Sequence, residues 1–493
     1  MLDTKQLSDI GFNYVLEKLE PCSPFGEELK RALKNAFYTD IELLKNEYEN
    51  IRILSEAIET NRDAYLAVAR ALMHFKDVRH SIKRSESAAL TDVELFEIKR
   101  FLMGAETLAD AAKDFPAIEK LSGIRIFRLT EALDIVDPDG MRAQTFRLAD
   151  SCSDELARIR RERKTVDGAL RALPAGSPDR DALAARRTLI AALEENEESR
   201  LRSEMSAALS HHAERALELA ESIAKLDLAL AKAKLMLDHG AVLPRIVPLG
   251  ESPIEFTDML NPNTDALLRG TGQRFTPVSI EVGTGSTVIT GANMGGKSVA
   301  IKTLALNTFL ARVGMPVFAK SAVVPMVADI HLLSEDAEDS RRGLSSFGGE
   351  MVNFDRIITA ADAEDGALVL LDEFARGTNP SEGSALVRAA VRYFEKKRSS
   401  FAVITTHFDD VACLAPTHYQ VMGLRNANEE ELDAALSRAG GAASHKELLA
   451  RFMDYGLFRA ERDMNPPRDA LKICRALRIS KDFLECVDDQ RIR

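Results

Sequence analysis

From Leu2 to about residue 240, apolar side chains recur at i, i+3 and i+4 with few β-branched runs, the period of helices that each turn one face inward. The clearest seam is Ala216, Leu219, Ile223, Leu226, Leu230, Ala233 and Leu237, which alternates steps of three and four and calls for a partner helix. Asp154 to Leu173 offers that partner, and PAGSPD at Pro174 to Asp179 offers the turn. The spacing therefore predicts a long antiparallel hairpin over about 154–238 within a helical core and lever domain, residues 1–240.

Past His239 the pattern changes. Pro244, Pro248, Pro253 and Pro262 interrupt the helical period and short β-type pieces appear. Strands are then predicted at Ser286–Thr290, Ala367–Leu371 and Phe401–Thr405, with helices from Ser298 to about Arg312, stopped by Gly314, and from Ser384. Such alternation implies a mostly parallel sheet covered by helices, with a ligand at the carboxyl ends of the strands. The fold class expected is multidomain α and α/β: the helical half, an α/β domain over residues 241–425, and a polar helical segment over 426–493.

Composition narrows the function. The 493 residues suffice for several domains, and 45% hydrophobic with 29% charged residues is an ordinary globular balance. A formal net charge of -12 argues against general coating of a polyanion, so nucleic acid would need a local basic surface. One candidate is Arg158, Arg160, Arg161, Arg163 and Lys164; Glu155, Glu162 and Asp167 lie among them, so a solvated helix face is the favoured reading. Cys22, Cys152, Cys413, Cys474 and Cys486 show no C-x-x-C spacing and read as reduced core thiols. With no leader-like start and no run of 18 uncharged apolar residues, the expectation is a cytoplasmic protein with no membrane contact.

The chemistry centres on TVITGANMGGKS, Thr287 to Ser298. Gly291, Gly296, Lys297 and Ser298 satisfy G-x-x-x-x-G-K-[ST] between a strand and a helix. The glycines let backbone N–H groups converge on one anion and the helix adds the positive end of its dipole. Lys297 then reaches the β- and γ-phosphates of ATP and Ser298 ligates Mg²⁺. Further on, the apolar run Ala367–Leu371 ends in Asp372 and Glu373, two adjacent acids whose burial without a cation would be costly. In phosphate-loop ATPases the first such acid holds Mg²⁺ and the second orients and deprotonates the attacking water, the roles assigned to Asp372 and Glu373. Arg376-Gly377-Thr378-Asn379-Pro380 is either a plain turn or a subunit contact. His407, after the strand FAVIT, is either a γ-phosphate sensor or a structural hydrogen-bonder.

In order and spacing these pieces resemble the MutS family of ABC-class ATPases: GANMGGKS its phosphate loop, LVLLDEFARGT its acidic motif, ITTHFDDVACLA its histidine loop. The resemblance implies nucleotide contacts from Gly291, Asn293, Met294, Gly295, Gly296, Lys297, Ser298 and Val299, with Asn293 on the γ-phosphate and His407 in a catalytic loop. It further implies that Phe275 lies on adenine and that Ser345, in GLSSF, completes the site of an opposing subunit in trans. IGFNYVLEKL and LADSCSDELARIRRER look like core and lever segments of the family's second branch, whose members act outside mismatch correction. Asn465 to Val487 resembles its C-terminal pairing helices, through which the chain would dimerise with itself or a paralogous subunit. Departures are as informative: no mismatch-reading domain with a Phe-x-Glu wedge, no small nuclease domain, nothing inserted at the Pro174 turn where relatives carry a clamp, Ala292 in place of a proline, and Gly348-Gly349-Glu350 after the signature.

The resulting expectation is a dimeric ATPase switch acting on mismatched, branched or otherwise unusual DNA. The alternative is an ATP-driven remodelling factor for a client enzyme, since some short relatives look like reactivating subunits of cobalamin-dependent amino-acid mutases. A transporter ATPase is excluded by the missing LSGGQ-type signature and the long helical lever.

Overall fold

The computed structural model describes residues 2–35, 37–143, 147–174, 177–291, 295–334, 346–408, 410–426, 428, 431, 452–461 and 474. The chain mixes helix and sheet and divides into two compact units. One comprises Met1–Leu19, Asn35–Tyr48 and Leu235–Arg493; the other comprises Glu20–Lys34 and Glu49–Lys234. The sequence reading places boundaries at about residues 240 and 425; in the structure two N-terminal segments share a unit with the strands.

The reason lies in one helix of that unit, Lys297–Arg312. It is buried on nearly every side, from Ala300 and Ile301 to Thr303 through Arg312, so it needs cover all round rather than along one stripe. Phe12 and Phe37 supply part of it, their ring centroids 4.8 Å and 5.3 Å from that of Phe309. The Tyr48 hydroxyl donates to the Ala311 carbonyl at 2.7 Å, and Arg312 donates to the carbonyls of Val327 at 2.7 Å and Tyr38 at 2.5 Å. Gly314, at φ 70°, takes the left-handed turn that ends the helix.

Ten strands are described in this unit: β1 (Arg245–Val247), β2 (Ile254–Met259), β3 (Val278–Val282), β4 (Gly285–Thr290), β5 (Ser321–Pro325), β6 (Ile330–Leu333), β7 (Leu368–Leu371), β8 (Phe401–Thr406), β9 (Thr417–Gly423) and β10 (Asp454–Arg459). They form a four-stranded sheet in the order β1-β5-β2-β3 and a six-stranded sheet in the order β10-β9-β4-β8-β7-β6. The larger sheet is parallel except for β10, which runs antiparallel to β9. The strands expected at β4, β7 and β8 form within a residue of their reading, and their fully buried faces suit a sheet covered on both sides. The helix expected from Ser384 begins earlier, at Pro380, because Asn379 caps it and Pro380 is set for the first turn. The smaller sheet and β10 were not foreseen.

The other unit is helical. Its hairpin differs from the one expected. Asp154–Ala172 packs on Asp179–Ser210, and a separate helix, Ala213–His239, follows after His211 and His212. Ion pairs fix the antiparallel register: Arg160 with Glu194, Glu162 with Arg186, Asp167 with Arg187. The heptad seam on Ala213–His239 is buried from Ala216 to Ala233, but Leu237 is only half-buried. Asp227, one turn along that helix, accepts from the backbone N–H groups of Cys22 and Ser23 at 2.8 Å and 2.7 Å and from the Ser23 hydroxyl at 2.6 Å. Of the four described cysteines, none is fully buried and Cys413 is exposed, so the expectation of core thiols is corrected.

Candidate functional site

Three strand ends meet on one edge of the six-stranded sheet. β4 lies between β8 and β9, both parallel to it, and hands over to Gly291 and the glycine turn. Gly296 caps the Lys297–Arg312 helix at φ 89°, and a Cβ there would stand 2.9 Å from Tyr455 Cδ1, so only glycine fits. β7 ends in Asp372 and Glu373, and β8 in Thr405, Thr406 and His407.

Lys297 is buried. Its Nζ donates to the Gly291 carbonyl at 2.8 Å and stands 3.3 Å from Glu373 Oε1, while Glu373 Oε2 accepts from Arg376 at 2.8 Å. Burial lowers the lysine's proton affinity and Glu373 opposes the shift. An incoming phosphate would replace a carboxylate and a carbonyl on this ammonium group. Asp372 is 8% exposed and its pKa is raised by burial, against the hydroxyl groups of Thr405 and Ser298 that favour the charged form. The Thr405 hydroxyl donates to Asp372 Oδ1 at 2.8 Å and accepts from the Glu373 N–H at 2.8 Å.

Beside these groups opens a cavity of about 850 Å³. The glycine turn from Gly295, Lys297, Ser298, Val299 and Glu373 form one wall, Phe275 and Leu268 another, and Met453 and Tyr455 of the β10 segment a third. Phe275 therefore stands where a flat base could lie while phosphates occupy the glycine turn. Among the described residues no group of three or more His, Cys, Asp or Glu could hold a metal ion alone. Ser298 and Asp372 instead offer two hard oxygens, a donor set that suits Mg²⁺ completed by phosphate and water.

His407 is exposed, its ring 4.4 Å from that of Phe408, and it is not among the residues lining the cavity. Asn293, Met294 and Ser345 lie outside the described residues, as does Asn465 to Val487 apart from Cys474. Sequence reasoning missed Met453 and Tyr455, which come from a strand after a long interval of chain and carry no local signal. It also gave no role to Thr405, whose place beside Asp372 follows from the β7–β8 register, with Leu371 opposite Ile404.

The basic cluster on the hairpin is largely spent internally. Arg160, 8% exposed, is bound by Asp150, Glu194, Glu198 and the Leu148 carbonyl. Arg163 pairs with Glu194 and Arg158 with Glu155. Arg161 and Lys164 are exposed.

Residues 287–440 match the family described as MutS domain V. Over 234 residues the chain is 34% identical to a protein named Endonuclease MutS2 from Symbiobacterium thermophilum, covering 47% of this chain and 28% of that one. A second Endonuclease MutS2, from Thermomicrobium roseum, is 34% identical over 245 residues, 48% of this chain and 30% of its own. A DNA mismatch repair protein MutS from Brevibacillus brevis is 32% identical over 231 residues, 46% of this chain and 26% of its own. The chain thus spans less than a third of the length of each of these relatives.

Proposed function

We propose, from the premise that this chain belongs to the MutS family through its domain V, that it binds and hydrolyses Mg²⁺-ATP as a dimeric switch. The observation that carries the reading is the convergence of Lys297, Ser298 and Glu373 on one cavity that Phe275 also lines, with Asp372 hydrogen-bonded to Ser298 beside it. Lys297 and the glycine turn bind the phosphates, Ser298 and Asp372 hold Mg²⁺, and Mg²⁺ supplies charge neutralisation on the transferring phosphoryl group. Glu373 accepts the proton of the attacking water once phosphate has drawn Lys297 away from it. Two copies, paired through Asn465 to Val487, would each complete the other's site with Ser345.

The target proposed is mismatched, branched or otherwise unusual DNA; the support from the relatives is the name DNA mismatch repair protein carried by one of them. The internal pairing of Arg160 and Arg163 is a specific observation in favour of the second reading, a client enzyme such as a cobalamin-dependent amino-acid mutase, because it leaves little of the hairpin's positive charge for phosphates.

Steady-state hydrolysis and nucleotide binding test the ATPase. Lys297→Ala should weaken ATP binding, and Glu373→Gln should retain binding while losing turnover by roughly 100-fold or more. Normal turnover in Glu373→Gln would remove Glu373 from its role. For the target, binding of branched, single-stranded and duplex DNA at low salt should change between ADP and a non-hydrolysable ATP analogue. Failure of all three DNAs in both states would leave the client-enzyme reading.

A further inference from the structure

We propose that Thr405 is a positioning residue for the ATPase reaction, holding Asp372 and Glu373 in their separate roles with a single hydroxyl group. The inference rests on the ATPase reading above. Thr405 is fully buried near the end of β8, and the parallel pairing that sets Leu371 opposite Ile404 brings it beside the end of β7. A threonine hydroxyl has one proton to give and lone pairs to accept. Here the proton goes to Asp372 Oδ1 and a lone pair takes the Glu373 N–H, both at 2.8 Å.

The second bond matters because of the backbone it restrains. Glu373 has φ 51°, a left-handed conformation that disfavours a non-glycine residue. Ala375, two residues on, has φ 61°, and its N–H donates to Glu350 Oε1 at 2.8 Å. This double left-handed turn is what carries the Glu373 side chain back to Lys297 while Asp372 stays at the sheet end near Ser298. Without an acceptor at residue 405 the Glu373 N–H loses its partner in a partly buried place, and the turn is held at its first residue by the Glu373 side chain alone. Without a donor there, Asp372 loses one of its two hydroxyl donors and keeps that of Ser298, which Mg²⁺ would also need. One hydroxyl thus sets both the direction of the proton acceptor and the orientation of the metal-binding carboxylate, as the outer partners of metal ligands do.

The test compares Thr405→Val, which keeps the shape and removes the hydroxyl, with Thr405→Ser, which keeps the hydroxyl, in the full chain. Thr405→Val should lower kcat roughly 10- to 100-fold with ATP affinity changed less than about threefold, and Thr405→Ser should restore most of it. Thr405→Ala serves if the valine protein fails to fold. Wild-type kcat in Thr405→Val, or equal losses in the serine and valine proteins, would overturn the proposal. If the wild-type chain binds ATP without hydrolysing it, the ATPase reading fails by itself. The Mg²⁺ concentration that half-saturates ADP binding then decides: it should rise about 10-fold in Thr405→Val, and no rise counts against Thr405.

Discussion

Asp372 shows how a single side chain can be at odds with the fold that holds it. Its carboxyl releases its proton at a higher pH in the folded chain than in the unfolded one, chiefly because it is buried. The unfolded chain therefore gains relative stability as pH rises from the ordinary aspartate range through the folded-state value, and the cost is complete above it. Asp372→Asn keeps the acceptor for Thr405 and removes the charge. In the absence of nucleotide and Mg²⁺ it should raise Tm at pH 8, with a gain that shrinks as the pH falls toward 5, while abolishing Mg²⁺-dependent ATP turnover. Thermal unfolding at several pH values checks this, and a lower Tm at pH 8 would contradict it. Lys297, Ser298, Asp372 and Glu373 could be named as candidates from the sequence because a phosphate, a metal and an attacking water would each demand a particular residue type at a particular spacing. The Thr405 bridge could not, since it depends on which residues two strands set side by side.

At the scale of elements, the hairpin holds a pairing that the one-dimensional charge pattern conceals. Arg160 and Glu194 are 8% and 7% exposed, and Arg160 also binds Glu198 and Asp150 from separate turns. Removing such a buried cation leaves Glu194 with Arg163 and Glu198 with Arg202 as their remaining cations, at a cost of up to roughly 3 kcal/mol. Arg160→Ala should lower the unfolding midpoint of the helical unit, whereas Arg161→Ala, on the exposed side, should leave it within experimental error. Denaturant titration followed by circular dichroism measures both. The same pairing sharpens the DNA test: Arg161 and Lys164 can be reversed without breaking the hairpin, so a change in the salt dependence of binding would report on phosphate contacts and not on unfolding. The turn at Pro174 was legible because Pro, Gly and Ser end helices locally. The choice of partner helix was not, because Asp179–Ser210 shows a weak apolar period, and only a few of its apolar residues, such as Ile190 against Ile159 and Val166, join the ion pairs across the hairpin.

For the whole molecule, the instructive result is where the N-terminal segments fold. Phe12, Leu44 and Tyr48 are all buried in the α/β unit, and Phe37 packs on Phe309 and under the Arg312 guanidinium. Each large apolar side chain so placed contributes about 1.5–3 kcal/mol. A fragment of residues 241–493, the α/β domain and the C-terminal segment that the sequence pattern marks out, should therefore unfold at a lower temperature than the same unit in the full chain and bind more of a hydrophobic dye. A fragment as stable as the parent unit would show that residues 2–19 and 37–48 are dispensable. Among the described residues no helix is long and apolar enough to cross a membrane.

The sequence by itself determined the features governed by short-range rules: the glycine turn, the strand that ends in two acids, the alternation of β4, β7 and β8 with helices, and the resemblance these motifs carry. Each is encoded within about ten consecutive residues, where spacing and residue type are sufficient. Only the tertiary structure decided that Tyr455 closes against Gly296, that Thr405 joins the two acids, that Arg160 is spent inside its own hairpin, and that two N-terminal segments cover the helix behind the phosphate loop. The physical reason is common to all four. Each contact joins residues brought together by sheet order or packing from distant parts of the chain, and burial there leaves no periodic trace in the local sequence.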